Sequence, residues 1–154
     1  MTLNGNFGFP VRSRCAICKG ITLNMLTLTL RTDNPEAEIG LYDDDKQLAY
    51  ATWHAHRQLA ETLHGKIKEL LESQQKNLSN LEGIVVFKGP GSFTGLRIGL
   101  SVANTLAYSL DIPIVSCQNP DWLTHGIQRL QAGETEAVAM PEYGALPHIT
   151  PQKK

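Results

Sequence analysis

The stretch that decides the fold spans residues 84–100 and reads IVVFKGPGSFTGLRIGL. Its first four residues form a short apolar run, which is typical of a strand covered on both faces. Residues 88–95 supply the glycines, the proline and the hydroxyl side chains of a tight turn. From Leu96 to Leu110 the chain is almost wholly apolar, which predicts a helix that is buried on more than one side.

Alternating residues upstream of this stretch predict three strands. Leu26, Leu28 and Leu30 alternate with polar residues, which indicates a half-buried strand. Residues 38–42 and 46–53 show the same two-residue period, and turns rich in aspartate separate the three runs. Connections this short favour an antiparallel meander.

Two amphipathic helices are predicted on either side of the central stretch. Apolar residues recur every three or four positions between Thr52 and Gln74, which predicts the first of them. Residues 113–116 are typical of another short buried strand. Asn119 is the predicted N-cap of the last helix, with Pro120 in its first position. The whole order predicts an α/β fold with a mixed five-stranded sheet and flanking helices.

The chain divides into three predicted segments. Residues 1–24 form a loose N-terminal arm, with Met25 as an alternative start of the protein. Residues 25–131 form one domain, and residues 132–154 form a polar tail with a candidate edge strand at 140–149. No run approaches the roughly 18 apolar residues that a membrane span needs.

Composition narrows the class of function. The chain has 14 Lys and Arg against 15 Asp and Glu, so it lacks the basic excess that unaided nucleic-acid binding needs. Three cysteines do not make a disulfide framework and fit a reducing, cytoplasmic location. Cys15 and Cys18 form a C-x-x-C pair, which supplies only two of the four ligands of a structural zinc site, so no metal is expected.

The glycine-rich turn is a candidate anion-binding loop. Free amides at a helix start attract anions, and glycine lets the backbone approach a ligand closely. The spacing matches neither a P-loop nor a dinucleotide fingerprint. A tight turn with Ser92 or Thr94 capping the helix explains the same residues, so both interpretations stay open. The candidate residues are Gly89, Gly91, Ser92, Thr94, Gly95 and Arg97.

The helix faces predict a docking surface for another protein. Gly99, Ala103 and Ala107 recur every four residues and form a small-residue stripe, which lets a second helix approach closely. Ile98 and Val102 belong to a bulkier stripe that suits the sheet. Coverage of the small stripe by the first helix of the same chain is the alternative. The predicted partner-binding residues are Leu59, Leu63, Ile67, Gly99, Ala103 and Ala107.

No catalytic residue is predicted. His54, His56 and His64 lie on the predicted first helix, but no carboxylate completes an H-E-x-x-H metal site. Ser92 lacks the glycine that follows the serine of a nucleophile elbow, and no acid–base partner can be named for it.

The run KGPGSFTGLRIGL at residues 88–100 resembles the signature of the TsaB (YeaZ) family, and the resemblance covers about residues 25–131. It implies the ribonuclease-H-like fold of the actin-like ATPases, with the family's second domain largely missing. It also implies a non-catalytic scaffold that supports the catalytic subunit TsaD in tRNA N6-threonylcarbamoyladenosine synthesis at adenosine 37. The ATPase TsaE is an implied partner, as is a second copy of the chain, and tRNA is contacted only indirectly.

The family pattern also bears on whether this chain binds and hydrolyses a nucleotide. Family members often carry Asp-Thr at the end of the first strand, whereas this chain has Arg31-Thr32, and an arginine cannot ligate magnesium. Asp33 is displaced from that position, and His54 or His56 replaces the family's early helical histidine. The resemblance therefore implies no cofactor of its own, with ATP or ADP confined to a subunit interface. A small actin-like nucleotide-binding enzyme, ATPase or glycoprotease-like, is the alternative.

Overall fold

Five strands and three α-helices follow one another in the predicted order. The computed structural model describes residues 24–144, except for the side chain of His56. The strands are β1 (Leu26–Arg31), β2 (Glu36–Asp43), β3 (Lys46–His54), β4 (Gly83–Phe87) and β5 (Ile114–Cys117). The helices are α1 (Leu59–Ser73), α2 (Phe93–Leu110) and α3 (Trp122–Gln131).

The strands form one mixed sheet in the order β3-β2-β1-β4-β5. β1, β2 and β3 are antiparallel because short turns join them, and β4 and β5 run parallel to β1 because helices cross over between them. In register, Leu28 lies between Leu41 of β2 and Ile84 of β4. The predicted fold class is confirmed.

The helices lie in two layers, one on each side of the sheet. α1 and α2 cover the face that carries Leu28, Leu30 and Ile84. α3 covers the other face, where Val85 and Phe87 lie. Residues that alternate along the strands therefore pack into two separate cores.

The prediction that β1 is half-buried is wrong. Thr27 and Thr29, on the face opposite the leucines, are as fully buried as Leu28 and Leu30. β1 is the central strand of the sheet, and side chains of neighbouring strands enclose its threonine face. The alternating sequence of β1 correctly indicates that one face of the strand is apolar and the other polar. Both faces are buried because β1 is the central strand of the sheet.

The first helix starts seven residues later than the predicted Thr52. Residues 52–54 instead complete β3, where Trp53 pairs with Ala37 and His54 with Glu36 of β2. A short 3₁₀ turn at His56–Gln58 then leads into α1 at Leu59. Pairing along the full length of β2 therefore outweighs the helical period of the sequence at this boundary.

The other two helix starts also differ from the prediction. α2 begins at Phe93, three residues early, with Ser92 as the N-cap. Asn119 does not cap α3: its carbonyl accepts a hydrogen bond from the Trp122 N–H at 3.0 Å, which closes a turn containing Pro120. Asn and Pro in the first two places suit such a turn, so α3 starts only after it.

The tail after α3 folds back against the domain. Residues 140–144 form no strand, and the rest of the predicted edge strand, residues 145–149, lies outside the described residues. The predicted arm at 1–24 lies outside them too, save for Asn24. Within residues 24–144, no helix has the length and apolar character needed to cross a bilayer.

Candidate functional site

The glycine-rich turn is packed between two other backbone segments. Gly89 has a φ of +119°, and a Cβ there would collide with the carbonyl oxygen of Glu142 in the tail. A Cβ on Gly95 would collide with the carbonyl oxygen of Thr32, just after β1. Both glycines are therefore required by contacts within the chain, whether or not the loop binds a ligand.

Hydrogen bonds fix this turn to the β1–β2 connection. The Ser92 N–H donates to the carbonyl of Asp33 at 2.9 Å, and the Thr32 hydroxyl donates to the carbonyl of Gly95 at 2.7 Å. The Ser92 hydroxyl accepts a long hydrogen bond from the Gly95 N–H at 3.4 Å, so Ser92 is the capping residue of the two that were predicted. Anion binding by this loop stays a prediction.

The other candidate anion-binding residues differ in exposure. Gly89 is buried, whereas Gly91, Thr94 and Arg97 are exposed. No acidic residue lies in the first turn of α2. Arg97, in the second turn of α2, is an exposed positive charge.

Asp33 is buried and engaged by Arg31. The guanidinium donates to both carboxylate oxygens, from Nε at 2.7 Å and from Nη2 at 3.1 Å. It also lies 4.4 Å from the centre of the Phe87 ring. The side-chain hydrogen bond to Asp33 raises the pKa of Arg31. This pairing was not predicted, although two residues of opposite charge spaced two apart at a strand end are a usable signal.

The predicted partner-binding residues do not form an outer surface. All six are buried within the chain: Leu59, Leu63, Ile67, Gly99, Ala103 and Ala107. The α1 residues pack in the core shared with β2, β3 and α2. A Cβ on Gly99 would collide with the Thr32 side chain, so small residues are needed where α2 approaches its own domain. The prediction is corrected: the small stripe of α2 faces inward.

The outward side of the α1–α2 layer contains a groove of about 300 Å³. Ile98 and Val102, predicted to face the sheet, are only partly buried and line it together with Ala60 of α1. Farther along α2, Tyr108 is 80% exposed. We call this site the outer groove; its residues are Ala60, Arg97, Ile98, Ser101 and Val102.

The histidines form no metal site in the described part of the chain. His54 and His64 are exposed, and no group of three His, Cys, Asp or Glu residues is arranged to hold a metal within residues 24–144. Cys15 and Cys18 lie outside the described residues.

One polar cluster at the end of β5 was not predicted. Arg129 of α3 donates to the carbonyl of Ser116 at 2.8 Å, and the Glu136 carboxylate accepts from both the N–H and the hydroxyl of Ser116 at 2.8 Å. Cys117 lies within this cluster, with its Sγ 3.8 Å from Arg129 Nη1. Burial raises the pKa of the Cys117 thiol, which disfavours the thiolate that a nucleophile needs.

Comparison with known proteins places this geometry in a family. The family model "TsaD: tRNA N6-adenosine threonylcarbamoyltransferase" matches residues 53–141. The Bacillus subtilis tRNA threonylcarbamoyladenosine biosynthesis protein TsaB is 38% identical over 90 residues, which cover 58% of this chain and 39% of the relative. The Escherichia coli protein of the same name is 26% identical over 120 residues, which cover 75% of this chain and 49% of the relative.

A solved structure agrees. YeaZ from Pseudomonas aeruginosa superposes with a TM-score of 0.59 at 27% identity, covering 70% of this chain and 50% of that one. The chain thus spans half or less of the length of these relatives. It belongs to the family that the TsaD model describes, and within it to the TsaB (YeaZ) proteins.

Proposed function

We propose that this chain acts in threonylcarbamoyladenosine synthesis on tRNA as a non-catalytic scaffold for a TsaD-like catalytic subunit. The names of its TsaB relatives support the pathway. The outer groove is the observation that supports a scaffold role, because it leaves apolar side chains exposed between α1 and α2.

The state of Asp33 argues against independent nucleotide hydrolysis. Magnesium-dependent phosphoryl transfer needs a carboxylate with free oxygen atoms to hold the metal. In this chain the Asp33 carboxylate is buried and both of its oxygens accept hydrogen bonds from Arg31. In this proposal ATP or ADP binds at the boundary between subunits.

The outer groove suits a pair of helices from a homologous subunit. Ridges on one helix pack into the grooves between others, and the exposed edges of Ile98 and Val102 supply apolar contact. Stable interfaces bury about 800 Å² on each partner, so the contact must extend beyond the groove. Tyr108, an exposed residue at the far end of α2, adds surface to this contact.

The remaining partners follow from this arrangement. A second copy of the chain would use the same groove and therefore compete with the TsaD-like subunit. A TsaE-like ATPase joins through the catalytic subunit. The net charge of −1 supports the view that tRNA is held by the partner rather than by this chain. The proposed tRNA modification takes place in the cytoplasm.

The test is calorimetric titration of the full chain with the TsaD-like subunit of the same organism. Ala60→Tyr fills the outer groove from an exposed position and should weaken binding by at least about tenfold. Thr124→Tyr, at an exposed position of α3 on the opposite layer, is the matched control and should bind like the wild type. Unchanged binding by Ala60→Tyr, or ATP turnover by the isolated chain, would overturn the proposal.

A further inference from the structure

We propose that the tail forms a second wall of the docking face and that Arg97, at its centre, selects a partner helix carrying a carboxylate between two apolar side chains. This inference rests on the proposed function and specifies the partner's chemistry. It starts from a second groove beside α2, of about 210 Å³, which we call the tail groove. Its lining includes Arg97, Ser101, Asn104, Val138, Met140 and Tyr143.

The tail is fixed in place along α2. The side-chain amide of Asn104 donates to the Ala139 carbonyl at 2.9 Å and accepts from the Ala139 N–H at 2.8 Å. The Glu142 N–H donates to the Lys88 carbonyl at 2.7 Å. These bonds hold the tail as a preformed wall, so a partner would not have to order it on binding.

This wall presents apolar side chains outward. Val138 is 56% exposed and Met140 is 65% exposed, although their neighbour Ala139 is buried against α2. At one end of the tail groove the Tyr143 ring stacks on Phe93, with ring centres 3.8 Å apart. Exposed apolar residues on a fixed segment are typical of a protein-binding surface.

Arg97 connects the two grooves. It lines both the outer groove and the tail groove, as does Ser101 one turn later. None of the salt bridges formed within the described residues involves Arg97. Docking would remove this charge from water, which is costly unless the partner supplies a carboxylate.

The position of Arg97 between the two grooves thus defines the chemistry of the partner helix that would fill them. A helix laid across Ser101 would place one apolar residue in each groove, spaced about one or two turns apart, with an acidic residue between them. A helix with a basic residue at that place would be rejected.

Calorimetry with the TsaD-like subunit tests both parts of the inference. The double variant Val138→Ser/Met140→Ser should weaken binding by about tenfold, whereas Ala137→Ser, an exposed position on the same segment, should not. Raising NaCl from about 50 to about 500 mM should weaken wild-type binding, and Arg97→Met should remove most of that salt dependence. Arg97→Glu should bind more weakly than Arg97→Met.

The outcomes separate this inference from the proposed function. If Ala60→Tyr loses binding while the tail double variant and Arg97→Glu stay within about twofold of the wild type, the tail and Arg97 play no part and the scaffold proposal stands. If Ala60→Tyr also binds normally, the proposed function itself fails. Thermal unfolding of each variant shows that the change acts on binding, since every substituted position is exposed.

Discussion

The hydroxyls of Thr27 and Thr29 are buried without a hydrogen-bond partner within the described chain. The Thr29 side chain lies over Gly40 of β2, where a Cβ would come within 2.6 Å of its Oγ1. Both hydroxyls are thus shielded from water and unpaired within the described residues. A buried hydroxyl that gives up its hydrogen bonds to water costs about 1–3 kcal/mol.

Replacing this hydroxyl with a methyl group should stabilise the protein. Thr29→Val keeps the shape and β-branching of the side chain but removes the unpaired oxygen, so the free energy of unfolding should rise by about 1 kcal/mol. Urea denaturation measures the change. Thr52→Val, at an exposed position of β3, is the control and should alter stability by less than about 0.5 kcal/mol. A loss of stability in Thr29→Val would show that the hydroxyl has a partner.

The thiol of Cys117 should be unreactive in the folded protein. Burial raises its pKa, so the folded state holds less thiolate than the unfolded chain at the same pH. Alkylation of Cys117 at pH 8, followed by mass spectrometry, should be at least about tenfold slower than in urea. Equal rates in the two conditions would mean that β5 and α3 leave the thiol accessible.

The raised pKa also predicts how stability depends on pH. The protonated thiol contributes fully to the free energy of unfolding below the unfolded thiol pKa of about 8.5. That contribution is lost as the pH rises through the higher pKa of the folded state. Stability should therefore fall above about pH 8.5, and Cys117→Ala should reduce that slope.

At the scale of elements, the sequence predicted which strands and helices form better than it predicted where each of them begins and ends. The leucines of β1 and the apolar run of β4 mark strands that the structure confirms. The start of α1 was predicted wrongly because residues 52–54 satisfy both a helical period and the pairing with β2, and only the sheet decides between them. The position of the tail could not be derived, since it depends on hydrogen bonds made by Asn104 of α2 and by Lys88, just after β4.

Asn104 should control the attachment of the tail to α2. Asn104→Ala removes both side-chain hydrogen bonds to Ala139, and two such bonds contribute about 1–3 kcal/mol together. Hydrogen exchange at the Ala139 amide should become faster by at least about tenfold, while exchange in β1 follows only the change in global stability. Thr105→Ala is the control, because its hydroxyl donates to the carbonyl of Ser101 within α2 and, among the described residues, not to the tail. Unchanged exchange at Ala139 would mean that other contacts hold the tail.

At the scale of the whole molecule, local sequence identified the glycine-rich turn and Arg97 but not the proposed docking face. The stripe of Gly99 and Ala103 does allow close packing, as predicted, but its partner is the domain itself. Helical periodicity groups residues by face without saying which face the sheet covers. The exposed face became visible only once α1, α2 and the tail were assembled.

Two substitutions on α2 should distinguish folding from assembly. Ala103 is fully buried, so Ala103→Glu would place an unpaired carboxylate in the core and cost about 3–5 kcal/mol, a large part of the stability of a small domain. Ser101, two residues earlier, is exposed and lines both grooves. Ser101→Trp should therefore unfold within a few degrees of the wild type and yet lose binding to the TsaD-like subunit by at least about tenfold.

Circular dichroism melting and size-exclusion chromatography with the TsaD-like subunit measure the two effects separately. A folded Ala103→Glu variant that merely fails to bind would restore the small stripe as the docking surface. An Ala103→Glu variant that melts early, beside a stable Ser101→Trp variant that elutes alone, would assign docking to the outward face. The two residues lie on opposite sides of one helix turn, so the same length of backbone would serve both as core and, in the proposal, as contact surface.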